Sequence, residues 1–176
     1  MKNLVLVGFM GTGKTDIGRR AAARLGLRFS DTDQIIEQRT GRTIAQIFAK
    51  EGEARFRQWE RELIKELASE QDRVIATGGG IVLDPNNVRD LARTGIVICL
   101  WAEPAALFRR TQHAKNRPLL EEPDREKRLT ELLQMRAPLY KAIPHRVDNT
   151  HTTVEQDVES VLAIYRDQTA GARAGV

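Results

Sequence analysis

Residues Gly8-Phe-Met-Gly-Thr-Gly13-Lys14-Thr15 fit the pattern G-x-x-x-x-G-K-[ST], the spacing of a loop that cradles phosphate. Glycines at 8, 11 and 13 let the backbone curl until successive N–H groups point inward as an anion nest, and a helix opening there adds its dipole. Gly11, Thr12 and Gly13 then face a nucleotide, Lys14 reaches its β- and γ-phosphates, and Thr15 offers its hydroxyl to Mg²⁺. Asp16 follows in the first helical turn, where an acid suits the dipole but competes with phosphate for the same field; a modest weakening of nucleotide binding is expected. Further along, Asp31 and Asp33 stand two apart at the end of a strand pattern. Read alone, Asp33 is a helix N-cap. Thr77-Gly78-Gly79-Gly80 is either a flexible turn or a place where backbone approaches a ligand closely. Arg57 and Arg136, each taken singly, read as solvated surface arginines.

These groups need a scaffold that gathers them. Short strand segments at 4–7, 28–30, 74–76, 96–101 and, more weakly, 145–147 alternate with amphipathic stretches after Gly13, from about Gln34, and around 53–69, 84–93, 103–111, 125–137 and 153–166. Such alternation predicts an α/β fold, a parallel sheet with helices on both faces. Ligands of these sheets sit at the carboxyl ends of the strands, which puts Asp31, Asp33 and the glycine run on the rim of the phosphate loop. In the 53–69 helix, Phe56, Trp59, Leu63 and Leu67 make an inward stripe that Arg57 flanks. The polar stretch 111–124, with two prolines, is too long for a minimal connection and reads as a functional lid or as disorder. One domain is expected over 1–168, with 169–176 as a disordered tail.

At 176 residues, 41% hydrophobic and 30% charged, the chain has the composition of one soluble globular domain, and no 18-residue apolar run is present to cross a bilayer. The net charge of +4 and pI of about 9.5 favour an anionic partner. Nucleic acid is a poor candidate for it, because aromatic residues make up only 5% and no basic-aromatic stacking platform exists. Cys99 is the single cysteine, so a disulfide framework and a thiolate metal site are excluded. The N-terminus enters a strand pattern without a secretory stretch, and a cytoplasmic location is expected. No Asp-x-x-Gly switch or Asn-Lys-x-Asp guanine reader accompanies the phosphate loop, and the chain is short for a mechanical ATPase. A small-molecule kinase remains.

The ordered set of motifs resembles one family, the shikimate kinases. It comprises the phosphate loop, Asp31-Thr-Asp33, Glu37-Gln-Arg-Thr-Gly41, Ile47-Phe48, Glu51-Gly52-Glu53, Phe56-Arg57, Thr77-Gly-Gly-Gly80, Arg117-Pro118-Leu-Leu120 and Arg136-x-Pro138-Leu-Tyr140. The resemblance implies a three-layer P-loop kinase fold with a five-stranded parallel sheet. It also implies Mg-dependent transfer of the ATP γ-phosphoryl group to the 3-hydroxyl of shikimate by a monomer. Arg57 and Arg136 would hold the shikimate carboxylate, with Gly78, Gly79 and Gly80 supplying backbone donors. Asp33 would bind the ring hydroxyls and orient or deprotonate the attacking one, and Asp31 would act on Mg²⁺ through water. Arg110 would pack on adenine, Arg117 would swing from a lid over 111–124 onto the phosphates, Glu60 would orient Arg57, and Phe48 and Phe56 would wall the pocket. The acceptor-binding region would span about 33–60. The chain has Thr150-His-Thr-Thr153 where the family often carries an arginine near adenine, so adenine contacts there do not transfer. The rival readings are a gluconate or nucleoside monophosphate kinase and, in a different class, a nucleic-acid-binding NTPase.

Overall fold

Strand β1 (Asn3–Gly8) is buried along its whole length, and its apolar side chains divide by parity. Leu4 and Leu6 enter one core with Ile17, Ala21, Val158, Val161 and Leu162; Val5 and Val7 enter another with Ile36, Leu63, Leu91 and Leu132. A strand that is apolar on both faces must be covered on both, and it is. In this computed structural model, which describes residues 1–112 and 124–171, β1 is the middle strand of a sheet. The others are β2 (Arg28–Asp31), β3 (Arg73–Ala76), β4 (Gly95–Trp101) and β5 (His145–Asp148), in the order β2-β3-β1-β4-β5 with every pairing parallel. Helices α1 (Lys14–Leu25) and α7 (Val154–Gly171) cover one face. The other carries α2 (Thr32–Thr40), α3 (Ile44–Leu67), α4 (Pro85–Thr94), α5 (Pro104–Thr111) and α6 (Arg125–Lys141). No helix among the described residues is long and apolar enough to cross a membrane.

The three-layer α/β fold, all five strands and the parallel sheet agree with expectation. Four boundaries differ, one of them the end of α6, which runs through Pro138 to Lys141 where the periodicity stops at 137. Helix α2 begins at Thr32, because Asp31 and not Asp33 is its N-cap: the Asp31 carboxylate accepts from the backbone N–H of Asp33 at 3.1 Å and of Gln34 at 3.3 Å. Helix α3 begins at Ile44, launched by a capping box in which Thr43 and Gln46 bond each other's backbone N–H. It breaks at Gly52, whose φ of 81° and ψ of 167° are open to glycine, and restarts into the long segment expected from periodicity. Helix α7 runs to Gly171, three residues into the stretch read as tail.

Register carries the functional consequence. Leu6 pairs with Ala76 and Ala76 with Asp31, while Gly8 pairs with Leu100 and Trp101 with Asp148. The phosphate loop, Asp31, the glycine run and the loop after β5 therefore leave the sheet along one rim. Gly8 sits so close to β4 that a Cβ there would run into the carbonyl of Leu100. Gly8→Ala is expected to cost about 2 kcal/mol of stability in urea unfolding, because the obstacle is backbone and cannot rotate away. Wild-type stability in that variant would mean that the loop can lift off β4.

Candidate active site

The phosphate loop starts at the end of β1, and Gly11 and Gly13, with φ of 83° and 79°, make the turns that a Cβ would oppose. Lys14 is buried, and its ammonium donates to the carbonyls of Gly8 at 2.8 Å and Phe9 at 2.9 Å. The Thr12 hydroxyl donates to the Phe9 carbonyl at 2.8 Å, which holds the loop's curl. Thr15 donates its hydroxyl to the second carboxylate oxygen of Asp31 at 2.7 Å. Asp31 thus caps α2 with one oxygen and meets the phosphate loop with the other, an arrangement of oxygen donors that suits Mg²⁺, which keeps most of its waters. Asp16 is exposed and pairs with Arg20 one turn on at 3.1 Å, so its charge is offset by a cation on its own helix.

On the other side of β1, four charged side chains converge around the glycine run. The Asp33 carboxylate oxygen Oδ1 lies 2.6 Å, and Glu60 Oε1 3.0 Å, from where a Cβ on Gly78 would stand. A Cβ on Gly80 would overlap the Arg57 guanidinium. A side chain at either position would push these charged groups out of their present places. Gly78 is further tied down by its N–H, which donates to the Thr32 hydroxyl at 2.9 Å. Gly79 lies against the phosphate loop, with a Cβ position 3.3 Å from the amide nitrogen of Met10. The run thus touches the phosphate loop and the charged cluster at once.

Glu60 is 1% exposed. Its Oε2 accepts from Arg57 at 2.8 Å, and Arg57 is held on its other flank by Glu53, also at 2.8 Å. Burial pushes the Glu60 carboxyl above the ordinary glutamate range, with Arg57 and Arg136 opposing the shift and Asp33 adding to it. Glu60 Oε1 has no hydrogen-bond partner among the described residues. Burial also works against the charge of Arg57, yet Glu60 and Glu53 together hold its guanidinium above the ordinary range. Arg136, 5% exposed on α6, lies 5.9 Å from the centroid of Phe9. Tyr140, one turn further on, donates to the Gly79 carbonyl at 2.5 Å and packs edge-on to Phe9. Burial drives its phenol far above the ordinary tyrosine range, so it remains a neutral donor. Phe48 and Phe56, on the same helix α3, meet with ring centroids 5.2 Å apart and tilted planes.

The structure therefore brings together Asp33, Arg57, Gly78, Gly79, Gly80 and Arg136, and beside them Lys14, Thr15 and Asp31. Arg110 lies apart, at the end of α5, bonded to Asn149. Arg117 and nearly all of the 111–124 stretch lie outside the described residues; Thr111 closes α5 and Asp124 caps α6. Glu60 could have been found without the family resemblance, since 56, 60, 63 and 67 is the buried stripe and Trp59, assigned to it from spacing, is only half-buried. Tyr140 and Asn149 carry no such local signal.

A sequence model of shikimate kinase matches residues 10–166. The shikimate kinase of Pelotomaculum thermopropionicum is 47% identical over 95% of this chain and 97% of its own length. Among solved structures, the shikimate kinase of Acinetobacter baumannii in complex with shikimate superposes with a TM-score of 0.91 at 38% identity, over 96% of this chain and 94% of that one. A gluconokinase from Sinorhizobium meliloti reaches 0.64 at 17% identity, over 98% of this chain and 95% of that one, a likeness of fold alone. With a match that runs unbroken from the phosphate loop through the acceptor cluster and into α7, this chain belongs to the shikimate kinase family.

Proposed function

We propose that the protein transfers the γ-phosphoryl group of ATP to the 3-hydroxyl of shikimate, yielding shikimate 3-phosphate and ADP. The observation that carries this reading is the acceptor cluster: two guanidiniums, Arg57 and Arg136, surround one buried acid, Glu60, with Asp33 beside them and Arg57 against the glycine run. A planar carboxylate suits two such forks, and Asp33 then meets the ring hydroxyls. A nucleoside monophosphate would ask for a base pocket here, and gluconate is supported by fold likeness only.

Catalysis on this reading is positioning and charge neutralisation. The loop amides of Gly11, Thr12 and Gly13 hold the phosphates, and Lys14 exchanges its carbonyl partners for phosphate oxygens. Thr15 would hold Mg²⁺ directly and Asp31 through water; the ion's chemistry there is neutralisation of phosphate charge. Asp33 orients the attacking hydroxyl and accepts its proton. Arg110 packs on adenine, and Asp16 tempers the affinity. Arg117 and a closing lid enter from the family resemblance alone. The protein acts as a monomer in the cytoplasm and binds no nucleic acid.

ADP release measured with shikimate, gluconate, CMP and AMP as separate acceptors is expected to rise above the ATPase background with shikimate alone. Stimulation by any other acceptor and none by shikimate would defeat the assignment. Tyr140→Phe removes one hydroxyl and keeps the ring. Because that hydroxyl holds the Gly79 carbonyl, the KM for shikimate should rise about tenfold, while the KM for ATP stays within about twofold. An unchanged shikimate KM would assign the hydroxyl to packing only.

A further inference from the structure

Asn149, the first residue after β5, belongs to neither the phosphate-loop pattern nor the acceptor cluster, yet it is 1% exposed and all its polar groups are engaged. Its backbone N–H donates to the Trp101 carbonyl at 2.8 Å. Its Nδ2 donates to the Thr12 carbonyl, inside the phosphate loop, at 2.8 Å. Two N–H groups of Arg110 come to it in turn, one onto Oδ1 at 3.2 Å and the other onto the backbone carbonyl at 2.6 Å. Its neighbours pin it from behind: Asp148 accepts from the N–H and hydroxyl of Thr150 at 2.9 and 2.6 Å, and the Thr150 hydroxyl accepts from the Glu103 N–H at 3.1 Å. Those two bonds hold the Asp148 carboxyl below its ordinary range.

Two consequences follow from elementary geometry. The peptide unit is planar and trans, so its C=O and N–H point in opposite directions. Fixing the Thr12 carbonyl on Asn149 therefore fixes the Gly13 N–H the other way, toward the interior of the anion nest. Gly13, at φ 79°, has no side chain to hold its conformation, and the Asn149 bond restrains it. The second consequence concerns Arg110. Two anchored N–H groups fix the plane of a guanidinium that is otherwise exposed, and a fixed plane presents a stacking surface to an aromatic base at little entropic cost. Only an amide serves both ends, since a carboxylate lacks the donor for Thr12 and a hydroxyl is too short to span them.

We propose that Asn149 is a nucleotide-positioning residue, which aims the Gly13 N–H at the phosphates and the Arg110 guanidinium at the purine. It rests on the reading that ATP is the phosphoryl donor and that Arg110 meets its base. The test is calorimetric titration of Mg-ADP and, separately, of shikimate into the wild-type protein and the variants Asn149→Ala, Arg110→Ala and the pair combined. Asn149→Ala should weaken ADP about tenfold and leave shikimate within about twofold. In the combined variant the losses should fall short of the product of the single ones, because Asn149 acts partly through Arg110. Unchanged ADP affinity, an equal loss of ADP and shikimate, or full additivity would each overturn the proposal. Should Asn149→Ala fail to fold, Asn149→Ser, which leaves a smaller void and a polar group, must show the same selective loss. ADP titration is independent of the acceptor: a wild-type protein that binds ADP but does not phosphorylate shikimate refutes the acceptor assignment and leaves Asn149 to be judged on its own data.

Discussion

A carboxylate that water cannot reach must be neutralised by the protein, and Glu60 imposes that requirement on the whole acceptor side. It lies beside a second carboxylate, Asp33, against the backbone of Gly78. Two acids in one dry place are tolerable only with cations at hand, and Arg57 and Arg136 are those cations. The pairing fixes Arg57 in a half-buried position that an isolated arginine would abandon for solvent. It also bears on Gly78 and Gly80, where a Cβ would displace the Asp33 and Glu60 carboxylates or the Arg57 guanidinium from their places. Removing Glu60 would leave Arg57 with Glu53 alone as its ion-pair partner among the described residues; removing the arginines would strand the acid.

The sheet converts this local cluster into a site. With β3 directly beside β1 and in parallel register, the glycine run leaves the sheet next to the phosphate loop, and Gly79 ends against Met10. Phe9 then links the two sides physically. Its carbonyl takes the Lys14 ammonium while its ring meets Tyr140 and Arg136. A change on the acceptor side is thereby one side chain away from the group that holds phosphate. Cys99, by contrast, takes no part: it is buried in β4, and burial raises its thiol to about 11, so it stays protonated and inert.

What could be read from the sequence has a common physical character. The phosphate loop and the strands are local: a glycine spacing or an apolar run specifies them without help from distant residues. Asp33, taken alone, reads as the cap because both acids stand beside the helix start; in the structure Asp31 caps the helix, and its other oxygen accepts from Thr15, sixteen residues before it, a contact no local pattern announces. Arg57 and Arg136 looked like surface charges because what holds them inside lies elsewhere in the chain or, for Glu60, on a helical position where a leucine would be ordinary. Asn149 is the extreme case, with partners 137 and 39 residues away that no spacing rule connects.

The central claim is that the paired guanidiniums recognise a carboxylate on the acceptor. The most direct measurement is the kcat/KM of phosphoryl transfer to shikimate compared with its methyl ester, which keeps the ring and the hydroxyls and deletes the negative charge. Loss of two charge-assisted contacts predicts a fall of about a hundredfold or more for the ester, with the KM for ATP unchanged. Equal turnover of acid and ester would contradict the account.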